Sequence, residues 1–254
     1  MAGGSILGNR VLRKEDPKFL TSGGEYVDDM LDEPLLSGAA HVVYVRSSVA
    51  HGKILSIDTS DAESMPGVLG VYTAASLGLA PVPAQFNPMV ARTLLASDKV
   101  RHVGEPVAAV VAETREQAAD AAEAVLVDIE PLEALIDLEA AMASTNLIYE
   151  TAGSNVVFDT TVLGMPENTG DDFFKDCEAV ASGRFLNQRV APCPLEVRGA
   201  AAAWGPDGRL NQWLSTQHAQ GAVAPLAAAN GVEAEKIRVR TPDVGGGFGA
   251  KIGT

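Results

Sequence analysis

Four glycines in five residues, Gly245-Gly246-Gly247-Phe248-Gly249, are the feature of this sequence most able to support chemistry. Glycine loses more backbone freedom on folding than any other residue, so such density implies that something must come close to the main chain. Successive glycine amides can turn inward as a nest that holds an anion or an oxo group. A nucleoside-triphosphate loop would end in Gly-Lys-Ser/Thr. Here Ala250-Lys251-Ile252 lacks both the final glycine and the magnesium-binding hydroxyl. A dinucleotide fingerprint matches loosely through Gly245, Gly247 and Ala250, but it needs a helix and an acidic residue about twenty positions on, past Thr254. A plain tight turn is the third reading, and it rarely needs four glycines.

About thirty positions upstream stands a carboxamide, Gln217. Taken alone, it reads as a polar residue at a strand end that caps the helix that follows. Glu196 and Arg198 allow either a buried structural pair or a contact with a ligand. Cys177 and Cys193 make neither a disulfide framework nor a four-thiolate metal site, and Cys193, between two prolines, reads as a small core residue. His51, His102 and His218 have no ligand spacing and receive no role. No metal-ligand set and no catalytic residue is assigned.

The formal net charge of −14 argues against binding to DNA, RNA or an anionic membrane, since a phosphate surface would be repelled. The start has no apolar signal region, and no apolar run of 18 residues occurs. The expectation is a cytoplasmic protein.

The elements that must position these residues follow from apolar patterning. The first thirty residues read as an extended arm. Strands are expected at 40–45, 54–57 and 68–72, with a helical turn at 58–65 and a second short helix capped by Thr73. Residues 80–97 form a Pro-punctuated loop with apolar Phe86, Met89 and Val90. A buried strand at 107–112, a helix opened by a Thr114/Gln117 capping box and a strand at 125–129 imply a small α/β layer. Asp137 caps one more helix. After the Gly-, Asn- and Asp-rich stretch from 144 to about 176, strands are expected at 181–190, 200–204, 210–215 and 237–240. The turn Gly205-Pro206-Asp207-Gly208 joins the middle pair, and an Ala-rich helix at 219–229 stops at Asn230-Gly231.

Six stretches, in order, resemble the molybdenum-cofactor-binding large subunits of the xanthine oxidase, aldehyde oxidase and aerobic carbon monoxide dehydrogenase family. They are the opening run 8–21 with Tyr26-Val27-Asp28-Asp29; Arg46 to Ile54, although a Pro and a first His usual in that run are absent; Val103-Gly104-Glu105-Pro106 with the strand after it; Arg189-Val190-Ala191-Pro192 with Leu195 to Ala200; Ser215-Thr216-Gln217; and Gly245 to Lys251. The pattern leans toward the carbon monoxide dehydrogenase-like branch.

The resemblance implies an α+β chain with an N-terminal arm (1–20), an α/β hammerhead domain (21–145), a linker (146–175) and an incomplete first part of a molybdopterin-binding domain (176–254). It implies cofactor contacts at Gln217, Gly246, Gly247, Phe248 and Gly249, with Gln217 donating to an oxo ligand and Lys251 either solvated or near the pterin phosphate. The cofactor would be molybdopterin, in its cytosine dinucleotide form. Partners would be an FAD-binding medium subunit and a 2Fe-2S small subunit on separate chains, with a complementing C-terminal chain as a further possibility. In the family the base glutamate and the copper-binding cysteine loop lie beyond residue 254, so an oxidoreductase inert as this chain alone is expected. The alternative is a non-catalytic interaction module or gene remnant. Sequence leaves the substrate open.

Overall fold

The computed structural model describes residues 8, 12–30, 32–84, 87–158 and 171–253. Asn9, Arg10 and Val11 of the opening run, Phe86, and part of the expected linker lie outside them. The strands are β1 (His41–Arg46), β2 (Gly52–Asp58), β3 (Val68–Thr73), β4 (Val82–Pro83), β5 (Ala91–Arg92), β6 (Lys99–Val100), β7 (Pro106–Ala112), β8 (Leu126–Pro131), β9 (Ala200–Trp204), β10 (Leu210–Leu214) and β11 (Ile237–Arg240). The helices are α1 (Asp16–Thr21), α2 (Ser60–Glu63), α3 (Arg115–Ala124), α4 (Leu138–Ala143) and α5 (Ala219–Asn230). The class is α+β. Contacts divide the chain into two units, Gly38–Gly183 and Met1–Ser37 with Arg184–Thr254.

In the Gly38–Gly183 unit, β7 is the centre of an antiparallel sheet in the order β1-β7-β3. It is the apolar run of the sequence because it is covered on both faces. Ala108 and Val110 pack with Ala62, Val71, Ala121 and Val125. Ala109 belongs to a second cluster with Ala74 and Leu95. The capping box closes as its residue types require: Thr114 Oγ1 accepts from the Gln117 amide at 3.2 Å, and Gln117 Oε1 accepts from the Thr114 amide at 3.1 Å. A second antiparallel sheet, β6-β2-β8, buries Val100 and Val107 with flanking Ile54 and Ile129. Asp137 accepts from the Ala140 amide at the start of α4.

Three expected elements differ. Thr73 opens no helix: its amide and hydroxyl engage Ser76 in a turn, a local competitor to helical bonding. The N-terminal arm contains the short helix α1, with Pro17 in its first turn, where a missing N–H does no harm. Residues 181–190 form no strand. Their backbone finds no ladder partner among the described residues, and Phe185 is 91% exposed. For the same reason Cys193, expected in a core, is exposed, as is Cys177.

The other unit holds the sheet β11-β10-β9. The Gly205–Gly208 turn joins β9 to β10 as an antiparallel hairpin, with the Gly205 amide donating to the Arg209 carbonyl at 2.8 Å. β10 then crosses through α5 to the parallel β11, and Gly231 ends α5 at φ +63°. Trp213 on the central β10 is buried under the Arg240 guanidinium, 5.3 Å from its ring. The N-terminal stretch is tied to the end of β11. Glu25 and Asp243 exchange two bonds, both 2.9 Å, Lys18 pairs with Asp243, and Glu33 pairs with Arg240 at 3.4 Å.

Candidate functional site

Parallel pairing decides where the chemistry collects. Trp213 of β10 lies opposite Arg240 of β11, so the segments leaving both strands emerge from the same edge of the sheet. In open sheets with parallel neighbours, that carboxyl edge is where ligands are usually bound. Gln217 is four residues past Trp213, and the glycine run begins five past Arg240.

The structure brings Gln217 and the glycine loop into contact. Gln217 Oε1 accepts from the amides of Gly249 (3.0 Å) and Lys251 (3.2 Å). The Gln217 amide and the Thr216 hydroxyl both donate to the Lys251 carbonyl, at 2.8 and 3.0 Å. With its oxygen engaged by two backbone donors, the carboxamide has its orientation set, and its Nε2 donor has no partner among the described residues. A side chain at Gly247 would collide with the Gln217 carboxamide.

The loop has the backbone of a nest. Gly246 and Phe248 have φ of +93° and +49°, while Gly247 between them is not in the positive region. Alternation of this kind is how a nest turns successive amides toward one side. Phe248 is 76% exposed, and a positive φ at a non-glycine residue costs on the order of 1–3 kcal/mol. The amides of Gly245, Gly249, Ala250 and Lys251 are consumed internally, the Ala250 amide by the Gly247 carbonyl at 2.8 Å. The amides of Gly246, Gly247 and Phe248 have no partner among the described residues.

Beneath the loop, Glu196 Oε2 accepts from the Gly245 amide and from Lys251 Nζ, both at 2.7 Å. Lys251 is 1% exposed, so it is neither solvated nor available to a phosphate at the surface. Glu196 and Arg198 are not paired. Arg198 donates instead to the carbonyls of Ala250 and Gly253. Asp243, just before the glycines, is held below the usual carboxylate range, first by its hydrogen bond from Lys18 and then by the Glu25 amide. Sequence reasoning missed the Glu196–Lys251 and Lys18–Asp243 pairs. Lys251 between Ala250 and Ile252 was the available signal, an isolated cation in an apolar setting. Elsewhere, His51 is buried with Nδ1 at 2.9 Å from the Glu133 carbonyl, so that ring is tied into its own unit. Among the described residues no cluster of three or more His, Cys, Asp or Glu could hold a metal ion, and no helix is long and apolar enough to cross a membrane.

Two family models match the chain: the aldehyde oxidase and xanthine dehydrogenase a/b hammerhead domain over residues 21–133, and the molybdopterin cofactor-binding domain over residues 148–254. The nicotine 6-hydroxylase large subunit of Paenarthrobacter nicotinovorans is 36% identical over 97% of this chain and 30% of its own length. The carbon monoxide dehydrogenase large chain of Afipia carboxidovorans is 36% identical over 97% of this chain and 32% of its own length. Among solved structures, quinoline 2-oxidoreductase from Pseudomonas putida 86 superposes with a TM-score of 0.80 at 35% identity, covering 96% of this chain and 31% of that one. The chain thus spans about a third of the length of these relatives. It belongs to the xanthine oxidase, aldehyde oxidase and carbon monoxide dehydrogenase large-subunit family, and corresponds to that family's hammerhead domain and the start of its molybdopterin-binding domain.

Proposed function

We propose that Gln217 and the loop Gly246-Gly247-Phe248-Gly249 form one wall of the molybdopterin site of a molybdenum hydroxylase, an oxidoreductase whose large subunit this chain begins. The observation that carries the reading is the set of donors left over once the loop has satisfied itself: three consecutive amides, 246 to 248, and Gln217 Nε2 beside them. All are neutral. Oxo and sulfido ligands change charge and protonation with oxidation state, and neutral donors stabilise such charge without titrating themselves.

When bound, the molybdenum centre supplies two-electron redox chemistry for hydroxylating a substrate carbon with oxygen from water. This chain's part is to hold and orient. The Gln217 side chain is locked by two amides so that its nitrogen can donate, and the amides of residues 246 to 248 would help to hold the pterin and the metal's ligands. Following the family pattern, the cofactor is taken in its cytosine dinucleotide form. The electrons of that reaction would pass to an FAD-binding medium subunit and a 2Fe-2S small subunit on separate chains, in the cytoplasm. Relatives named as large subunits, large chains and a complex subunit support a multi-subunit setting.

The test is a chimera in which this chain replaces the matching third of a relative's large chain, purified with that relative's partner subunits. Molybdenum and pterin are then measured. Retention of both, with a several-fold loss on Gln217→Ala, is expected. A folded, assembled chimera without molybdenum or pterin refutes the reading.

A further inference from the structure

We propose that Glu196 is a positioning residue that fixes the curvature of the glycine loop from below. One oxygen, Oε2, grips the loop at both ends, through the Gly245 amide and Lys251 Nζ, each at 2.7 Å. The Glu196 amide also donates to the Gly245 carbonyl at 3.3 Å, so the two residues meet back to back. A Cβ at Gly245 would lie 2.5 Å from Glu196 Cβ and 3.3 Å from Tyr26 Cε1, leaving no room for any other residue there. The first and last residues of the 245–251 segment are thereby pinned to one carboxylate, and the five intervening residues must bow outward. That bow contains the three uncommitted amides.

Charge points the same way. The Lys251 ammonium is buried, and unpaired it would put a fixed positive charge under the nest. Glu196 neutralises it, so this buried charge is answered beneath the loop. Among the described residues Oε1, the second oxygen of Glu196, is buried without a hydrogen-bond partner, so Oε2 carries this carboxylate's side-chain bonds to the loop.

The functional meaning rests on the cofactor-wall reading, but the test does not. Amide hydrogen exchange is followed on the 254-residue chain for the parent and for the double variant Glu196→Leu with Lys251→Met, which removes both charges and the acceptor together. Expected is at least a tenfold faster exchange at the amides of residues 245, 249 and 251, with β10 amides unchanged, because a buried ion pair replaced by apolar residues of similar volume usually leaves the fold intact. Exchange within twofold of the parent at all three amides overturns the proposal. The milder pair Glu196→Gln with Lys251→Met keeps an oxygen for the Gly245 amide and guards against an unfolded first variant. It is expected to hold the Gly245 amide within about twofold of the parent while 249 and 251 loosen, and loosening at 245 equal to that of the apolar pair overturns the claim that this acceptor sets the loop. The chimera separates the two ideas. A parent chimera lacking molybdenum sinks the cofactor reading and leaves the exchange result standing.

Discussion

Gly247→Ala isolates the contact on which the site depends. Gly247 is outside the positive-φ region, so alanine is conformationally allowed and would by itself stabilise by about 0.4–1 kcal/mol through the unfolded chain. The new methyl, however, overlaps the Gln217 carboxamide and lies 2.6 Å from Gln217 Cγ. If the side chain swings away, Oε1 leaves the amides of Gly249 and Lys251. Two hydrogen bonds at a net ~0.5–1.5 kcal/mol each give a loss of about 1–3 kcal/mol, which outweighs the entropic gain. Gln217→Ala removes the same acceptor without a clash and should cost about the same. In the double variant Cγ and Cδ are gone, the overlap disappears, and the cost should not exceed that of Gln217→Ala alone. The cycle therefore predicts a coupling of about 1–3 kcal/mol. Urea unfolding followed by tryptophan fluorescence reads it cleanly, because both tryptophans, Trp204 and Trp213, lie in the unit that carries the site. Costs that add to within about 0.5 kcal/mol would show that Gly247 and Gln217 do not touch in solution.

The other expectations are smaller. Phe248→Gly relieves a left-handed backbone while removing a mostly exposed ring, so stability should hold or rise by about 1 kcal/mol; a loss of more than that would mean the ring is packed. Asp243 has a lowered folded pKa, so its clasp with Lys18 contributes fully above the ordinary carboxylate value and is lost as pH falls through the lowered one. Lys18 is raised, first by its bond to Asp243, so its share holds below the ordinary lysine value and is lost as pH rises through the raised one. Lys18→Met should move the Asp243 titration, followed by NMR, back up toward ordinary carboxylates, and an unmoved curve contradicts the pairing. Thr114→Ala opens the capping box of α3 and should lower stability by about 1 kcal/mol in thermal unfolding, with exchange at the glycine loop untouched.

Much of the architecture was legible because each signal was local. The 107–112 run is apolar because β7 is sandwiched, the Thr114/Gln117 spacing closes one helical turn, and Gly231 is the one residue type suited to ending α5 left-handed. The failures were equally physical. Residues 181–190 have strand-like composition, but a strand needs a backbone neighbour, and composition says nothing of whether one arrives. The arm was read as extended from its Gly, Arg and Asp content, yet Pro17 in a first helical turn is compatible with α1. Its attachment to Asp243 spans 225 positions, a distance over which no residue pattern speaks.

The glycine cluster shows how density alone can suggest a ligand for an incomplete reason. Read from sequence, its density implied close approach by a ligand. In the structure, Gly245 is pressed against Glu196 and Gly247 against Gln217, while Gly246 and Gly249 have φ of +93° and +86°. Each glycine thus has an intramolecular demand, and their number alone carries no vote for a ligand. What discriminates is where the backbone donors go: four of the loop's amides are answered from within, and the run from 246 to 248 is not. A plain tight turn would have closed on those amides or left them singly to water. Three in succession, on alternating φ and beside an oriented carboxamide, make a surface shaped for acceptors. The case for a cofactor wall therefore stands on unanswered donors rather than on missing side chains.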